Sequence, residues 1–477
     1  MRNFSFFNLF LFLFFAIKLI LSKNHSLILQ FNVYQQKDYN DLTKEEIFES
    51  IENNYLYTIF NMGNPPNKIP LFYTFDNSSL SLKSNINFIS LPEKNYFPLN
   101  SKTFMKLENN KIQEEIIITN DNEKTIKNFT FLYQNDTNEK NLYGYIGLQN
   151  FYNKDKENNF ETNFLYQLKI LGLIDNITYN LNYTSENEGY ININIEPNDY
   201  SPTIYSNKHK YTTIVKDIAS KEGKYLWNID INSIYYKTQE NEKIIIKGKN
   251  SELYEENVSI LVLLNPQYGL IKGSSSYKNK IEKEFFNNLI EKKVCSISEI
   301  NKKIFYSCKS NDKKEIKEKF HTVFFEHKEF NYIFELNYED LFYEKNDILY
   351  FLICFDAGLL DDDKSSNSFE WILGKPFMKK YLFSFDVEKN EISFYEDINT
   401  PKLEKIKNSN NLYVEQLLPT KHLILISLVL FIILTSNFCI INCKRISKKI
   451  DLTKNNKEKG EDDKSFIGLK ESNVVIN

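Results

Sequence analysis

Two short stretches of this 477-residue chain set carboxylate or amide side chains where an extended run gives way to a turn. The first is "LFYTFDNSSLSL", residues 71–82, with Asp76 followed by small polar residues. The second is "ILVLLNPQYGLIKGS", residues 260–274, in which Asn265 stands where the extended run meets the turn. A carboxylate at a strand end can work as a general acid or base, and two of them held together can share a proton and activate a water between them. Asn265 matches Asp in shape but does not titrate, and no Asp or Glu occurs between Glu256 and Glu282. Asp76 therefore lacks a second carboxylate in the matching stretch.

The other candidate groups read as structural. His321 and His327, in "HTVFFEHKEF", would lie roughly 20 Å apart on a strand, too far to share one ion, and fit a surface or cleft position. "LDDDK", residues 360–364, lacks the spaced oxygens and turn glycine of a calcium loop. "GSSS", residues 273–276, lacks the lysine of a phosphate loop, and there is no nucleophile elbow. Trp227 and Trp371 read as core aromatics. No metal site and no cofactor is expected.

The elements that would position these residues are strands. Period-2 alternation marks "EEIIITND", "IKNFTFLY", "GYININIEP", "KIIIKG" and "NEISFYED" between Asn- and Lys-rich turns. Helical spacing appears in "FLYQLKILGLI", where Phe164, Leu168 and Leu171 share a face, and in residues 277–293, where Ile281, Phe285 and Leu289 do. "TKEEIFESIENN", residues 43–54, carries the signature of a capped helix. Many strands, few helices and two similar halves predict an all-β, bilobal protein. Aromatics make up 15% of the residues, whereas Gly, at 13 residues, is well below the usual share of about 7% and leaves few positions with free access to positive φ. A net charge of −4 gives no case for nucleic acid.

Both ends carry apolar runs. Residues 1–23 have Arg2 and a Phe/Leu stretch and resemble a secretory signal peptide. Residues 422–442, apolar from Leu423 to Ile441, are long enough to span a bilayer and precede the basic "CKRISKK", which places residues 443–477 in the cytosol. The expectation is a single-pass type I membrane protein of the secretory pathway, with its bulk lumenal or extracellular and residues 401–421 as a stalk. Cys295, Cys308 and Cys354 lie on the oxidising side, so one bridge and one leftover thiol are expected; Cys439 and Cys443 lie at the cytosolic end. Sequons at Asn128, Asn135, Asn176, Asn182 and Asn257 fit a glycoprotein surface.

"EWILGKPFMKKYLFSFDVEKNEISFYED", residues 370–397, resembles the segment near the C-terminus of pepsin-family aspartic proteases. "YTIFNMGNPPNK", "GYIGLQ", "FLYQLKILGLI", "YLWNIDINSIYY" and "CFDAG" resemble further family stretches, in the family's order across some 340 residues. The resemblance implies a pepsin-like N-terminal lobe over 51–210, a C-terminal lobe over 211–400, residues 24–50 as an N-terminal extension or propeptide remnant, and a disulfide between Cys308 and Cys354. It also implies one Asp per lobe in a D-T/S-G-T/S motif. Gapless alignment puts Asn265 at the second Asp position. In the first lobe it puts Thr74 at the Asp position and Asp76 on the motif glycine; a rival register, with an insertion and a deletion, would make Asp76 the catalytic residue. "FMKLENNKIQEEI", residues 104–116, lacks the Tyr-Gly pair of the family's flap. Two functions follow as expectations: a pseudoprotease that binds a peptide or protein in its interlobe cleft or on the ectodomain surface, or an active membrane-anchored aspartic endopeptidase.

Overall fold

The computed structural model describes residues 26–34, 42–75, 79–84, 101–118, 124–134, 142–149, 161–216, 226–237, 242–246, 260–357 and 369–399. Among these residues the chain is mostly β, with strands in three sheets of 13, 9 and 4. Alternating sequences form half-buried strands: in Leu56–Met62 and Lys111–Ile118 every second side chain is buried. Asn67–Thr74, by contrast, is buried on both faces from Ile69 onward, as a strand paired in parallel inside a sheet must be. All five segments with period-2 alternation contain strands.

The largest sheet joins distant parts of the chain. Its order at one end is Tyr205–Ile214, Glu391–Asp397, Leu382–Asp386, Thr178–Tyr183, Glu188–Ile193, Leu27–Val33 and Leu56–Met62. Strands from the end of the chain are thus laid against strands from its first half. Leu27–Val33, from the expected N-terminal extension or propeptide remnant, pairs with Glu188–Ile193 along six residue pairs and buries Phe31 completely. Tyr205–Ile214 runs across the expected lobe boundary at 210/211 and pairs with Glu391–Asp397. The described residues pack as one compact unit.

The helices follow their sequence signals with one exception. Lys44–Glu52 starts at Thr43 with a capping box closed by Glu46. Ile281, Phe285 and Leu289 are all buried along the helical run from Ser275 to Glu291, which contains one π turn. In Phe164–Ile170, Phe164 and Leu168 are buried but Leu171 is exposed, because the helix stops there and Gly172 takes a left-handed φ of 65°. Trp227 and Trp371 lie in the core. Residues 1–23, 401–421, 422–442 and 443–477, and "LDDDK", lie outside the described residues. Among the described ones no helix is long and apolar enough to cross a membrane.

The disulfide differs from the expected one. Cys295 is bonded to Cys308, and Cys354 is a buried free thiol. Cys295 and Cys308 face each other in an antiparallel hairpin formed by Cys295–Ile300 and Lys303–Lys309. The ladder between Lys303–Lys309 and Ile353–Asp356 pairs Ile304 with Phe355, so Cys354 is level with Phe305 and roughly 10 Å along the strand from Cys308. That separation is beyond disulfide reach. Tryptic mapping under non-reducing conditions is expected to give a Cys295–Cys308 peptide, with Cys354 alkylated only after denaturation. Replacing both bonded cysteines by Ser should cost about 3 kcal/mol in a denaturant melt, as expected for a short closed loop.

His327 also departs from expectation, being in the core rather than on the surface or in a cleft. Its ring stacks on Phe330 at 3.8 Å, and its Nδ1 accepts the Phe330 N–H at 3.1 Å. Nε2 therefore carries the proton of the neutral ring, and burial pushes the pKa down to about 4. His321 is half-buried and stacks on Tyr236 at 5.6 Å. The unfolded chain takes up a proton at His327 below about pH 6.5, and the folded chain only near pH 4, so stability falls as pH drops through that window. The loss should approach about 3 kcal/mol by pH 4. In His327→Asn, whose side-chain oxygen can accept the same N–H, urea melts between pH 7 and 4 should lack this component.

Candidate functional site

The two strand-to-turn stretches are built on the same strand path. In the first, Asn67–Thr74 runs parallel to Leu142–Gly147, pairing Leu71 with Gly144 and Tyr73 with Ile146. After the turn, Ser81–Ser84 comes back antiparallel to that same strand, Ser81 opposite Tyr145. In the second, Ile260–Leu264 runs parallel to Trp371–Leu373, pairing Val262 with Trp371 and Leu264 with Leu373. Ile271–Lys272 then comes back antiparallel to it, Lys272 opposite Ile372. The spacing from Leu71 through Tyr73 to Ser81 equals that from Val262 through Leu264 to Lys272. Thr74 and Asn265 thus hold equivalent positions, as do Phe75 and Pro266. Position 76 corresponds to Gln267; Asp76 itself lies outside the described residues.

Neither equivalent position carries a titratable group. Thr74 is buried, and its carbonyl accepts the Leu148 N–H at 2.7 Å. Asn265 folds its side chain back on its own turn, Oδ1 accepting the Gln267 N–H at 3.0 Å while its carbonyl accepts the Tyr268 N–H at 3.0 Å. The side chain of Gln267 reaches the other loop, where Oε1 accepts the Phe75 N–H at 2.9 Å. A hydroxyl and two amides can orient a ligand through hydrogen bonds but cannot exchange a proton near neutral or acidic pH.

The N-terminal segment holds the second loop from outside. The Asn54 N–H donates to Gln267 O at 2.8 Å, its Nδ2 donates to Pro266 O at 2.7 Å, and the Gly269 N–H donates to Glu52 O at 2.7 Å. A Cβ on Gly269 would sit 1.8 Å from Ile51 O, so only glycine allows this approach. Ile47 and Phe48 pack with Leu270, Phe305, Tyr350 and Cys354 in a small cluster. The Tyr268 hydroxyl lies 2.9 Å from Cys354 Sγ, with Lys303 Nζ 5.3 Å from the Tyr268 ring centroid. Burial pushes the Cys354 thiol up to about 12 and, with the neighbouring thiol, raises Tyr268 as well, so neither supplies an anionic nucleophile.

Met105–Lys106 and Lys111–Ile118, within the stretch compared with a flap, form a hairpin whose turn uses Asn109 and Asn110, both at positive φ. Sequence reasoning missed the bonds of Gln267 and Asn54, since a side-chain amide in an Asn-rich chain carries no local signal of a distant partner. Among the described residues, no group of three His, Cys, Asp or Glu could hold a metal ion. No protein-family model matches the chain, and no curated protein is significantly similar to it.

Gln267 makes a direct hydrogen bond between the two loops. Gln267→Ala leaves the partly buried Phe75 N–H without its acceptor and should destabilise the protein by about 1–3 kcal/mol. Gln267→Glu, which keeps an acceptor, should recover most of that loss above pH 6 in the same thermal melts.

Proposed function

We propose that the chain is a pepsin-like pseudoprotease: a bilobal ectodomain that retains the strand scaffold of an aspartic protease, has lost both catalytic carboxylates, and binds a peptide or protein between its lobes. The observation that carries this reading is the equivalence of Thr74 and Asn265, set by identical pairing registers in the two halves. An acid protease needs two carboxylates at such positions to share one proton. Here the positions hold a hydroxyl and an amide, and the loops are joined through Gln267. Further support comes from the order of the sequence stretches that resemble the family and from the sheet that joins the two halves. On this reading residues 1–23 direct the chain into the secretory pathway and residues 422–442 anchor it, with the ectodomain lumenal or extracellular.

The purified chain, incubated at about pH 4 with a peptide library, should give no pepstatin-sensitive cleavage. Asn265→Asp alone should remain inactive, because position 74 still lacks a carboxylate. Pepstatin-blocked cleavage by the unaltered chain would overturn the reading. A displayed peptide library should enrich binders whose affinity Asn265→Arg weakens at least about tenfold, as expected for a residue central to an interface.

A further inference from the structure

The sheet face that carries Thr74 is lined with aromatic rings. Phe72 and Thr74 alternate with Leu71 and Tyr73 along one strand, so they share a face, while Leu71 and Tyr73 enter the main apolar cluster on the other. Tyr57 stands opposite Phe72 on one neighbouring strand and Tyr145 opposite it on the next. Opposite residues share a face, so the three rings form one row across three strands. The ring centroids of Tyr34, Tyr55, Tyr57 and Tyr145 lie 5.7 to 6.4 Å from that of Phe72. Phe72 is 1% exposed among them, whereas Tyr55, Tyr57 and Tyr145 are half-buried and keep part of their surface in solvent.

Two properties of this wall restrict what can bind it. It is uncharged: burial raises the pKa of the Tyr55 and Tyr145 hydroxyls, and Glu52 beside Tyr55 is paired with Lys303. A charged side chain laid on it would be desolvated without a counter-charge. Its strands are also interior. Leu56–Met62 lies between Leu27–Val33 and Asn67–Thr74, and Leu142–Gly147 between Asn67–Thr74 and Ser81–Ser84. A segment crossing their face therefore has no edge among them with which to form a ladder. A polyproline II segment needs none, since it makes no ladder and its prolines carry no N–H. Its residues i and i+3 lie on one side, about 9.3 Å apart. Tyr57 and Tyr145 belong to strands two spacings apart, about 9.5 Å. We propose, on the functional reading given above, that this wall binds a proline-rich segment in the polyproline II conformation. Prolines three residues apart stack on Tyr57 and Tyr145, with Phe72 beneath the span between them.

Fluorescence anisotropy of labelled decaproline with the purified full chain tests this. Binding should be saturable, with a Kd of about 300 μM or tighter. Among Ser/Ala peptides competing with that probe, those with two prolines three residues apart should bind at least about threefold tighter than isomers with the prolines two apart. Tyr57→Leu and Tyr145→Leu, which keep apolar bulk but lose the flat ring, should each weaken decaproline binding at least about tenfold. Tyr57→Phe and Tyr145→Phe should stay within about twofold of the unaltered chain. No saturable binding up to about 2 mM, indifference to the proline spacing, or unchanged binding by both Leu variants would each overturn the proposal. So would saturable binding of maltohexaose in place of decaproline, which would assign the rings to a carbohydrate. The spacing comparison uses the unaltered chain and does not depend on how the variants fold. Captured peptides without prolines would overturn the ligand class and leave the pseudoprotease reading standing, whereas pepstatin-blocked cleavage would overturn that reading and leave decaproline binding measurable.

Discussion

Each loop of the candidate site is held by one central strand that pairs in parallel with the segment entering the loop and antiparallel with the segment leaving it. Both ladders must be in register on the same strand, so the length of the loop and the face each side chain takes are determined together. A slip of one residue would turn Leu71 and Tyr73, or Val262 and Leu264, away from the apolar cluster in which they are buried. Close approaches follow from this constraint. A Cβ on Gly374, which directly follows the central strand of the second half, would lie 2.1 Å from the carbonyl oxygens of both Tyr268 and Leu270. The helix Lys44–Glu52 completes the arrangement by closing on Gly269 from outside, with Lys303 paired to Glu52 across the contact.

Local signals in the sequence were enough to read the strands, the capped helix and the buried tryptophans. Alternation and capping act over a few residues and do not depend on the rest of the chain. The scarcity of glycine had a structural answer that composition did not reveal: Asn109, Asn110, Asn301, Asn331, Asn346 and Asn390 take left-handed turn conformations, which asparagine tolerates best after glycine. The same turns held the clue to the disulfide. Asn301 and Lys302, both at positive φ, form a two-residue hairpin turn, and counting outward from it sets Cys295 opposite Cys308. The pairing that the resemblance implies, Cys308 with Cys354, takes no account of this turn. Helical spacing puts Leu171 on one face with Phe164 and Leu168, whereas Gly172 ends the helix just after it and leaves Leu171 exposed. His327 was out of reach for a different reason: its burial depends on Phe330 and Phe394 meeting around a turn, which no periodicity encodes.

The candidate site was legible in position but not in its bonding. Its two loops could be found because strand-then-turn sequences recur in both halves. Their bonding could not, because Gln267 meets Phe75, and Asn54 meets Pro266, across large sequence separations. On the reading proposed above, these contacts give the loss of the carboxylates a physical meaning. Two buried carboxylates side by side resist joint ionisation, and each must be supported by donors that stay free to follow a moving proton. Amides carry no such requirement. They need only fixed partners, and here Asn265 closes its own turn, Gln267 ties one loop to the other, and Asn54 ties the second loop to the N-terminal segment. On the reading proposed above, side-chain groups that in an enzyme would be kept available for chemistry have become part of the joint between the two halves. On the same reading, a cleft above such a joint would be preorganised for a ligand that is held by hydrogen bonds and left intact.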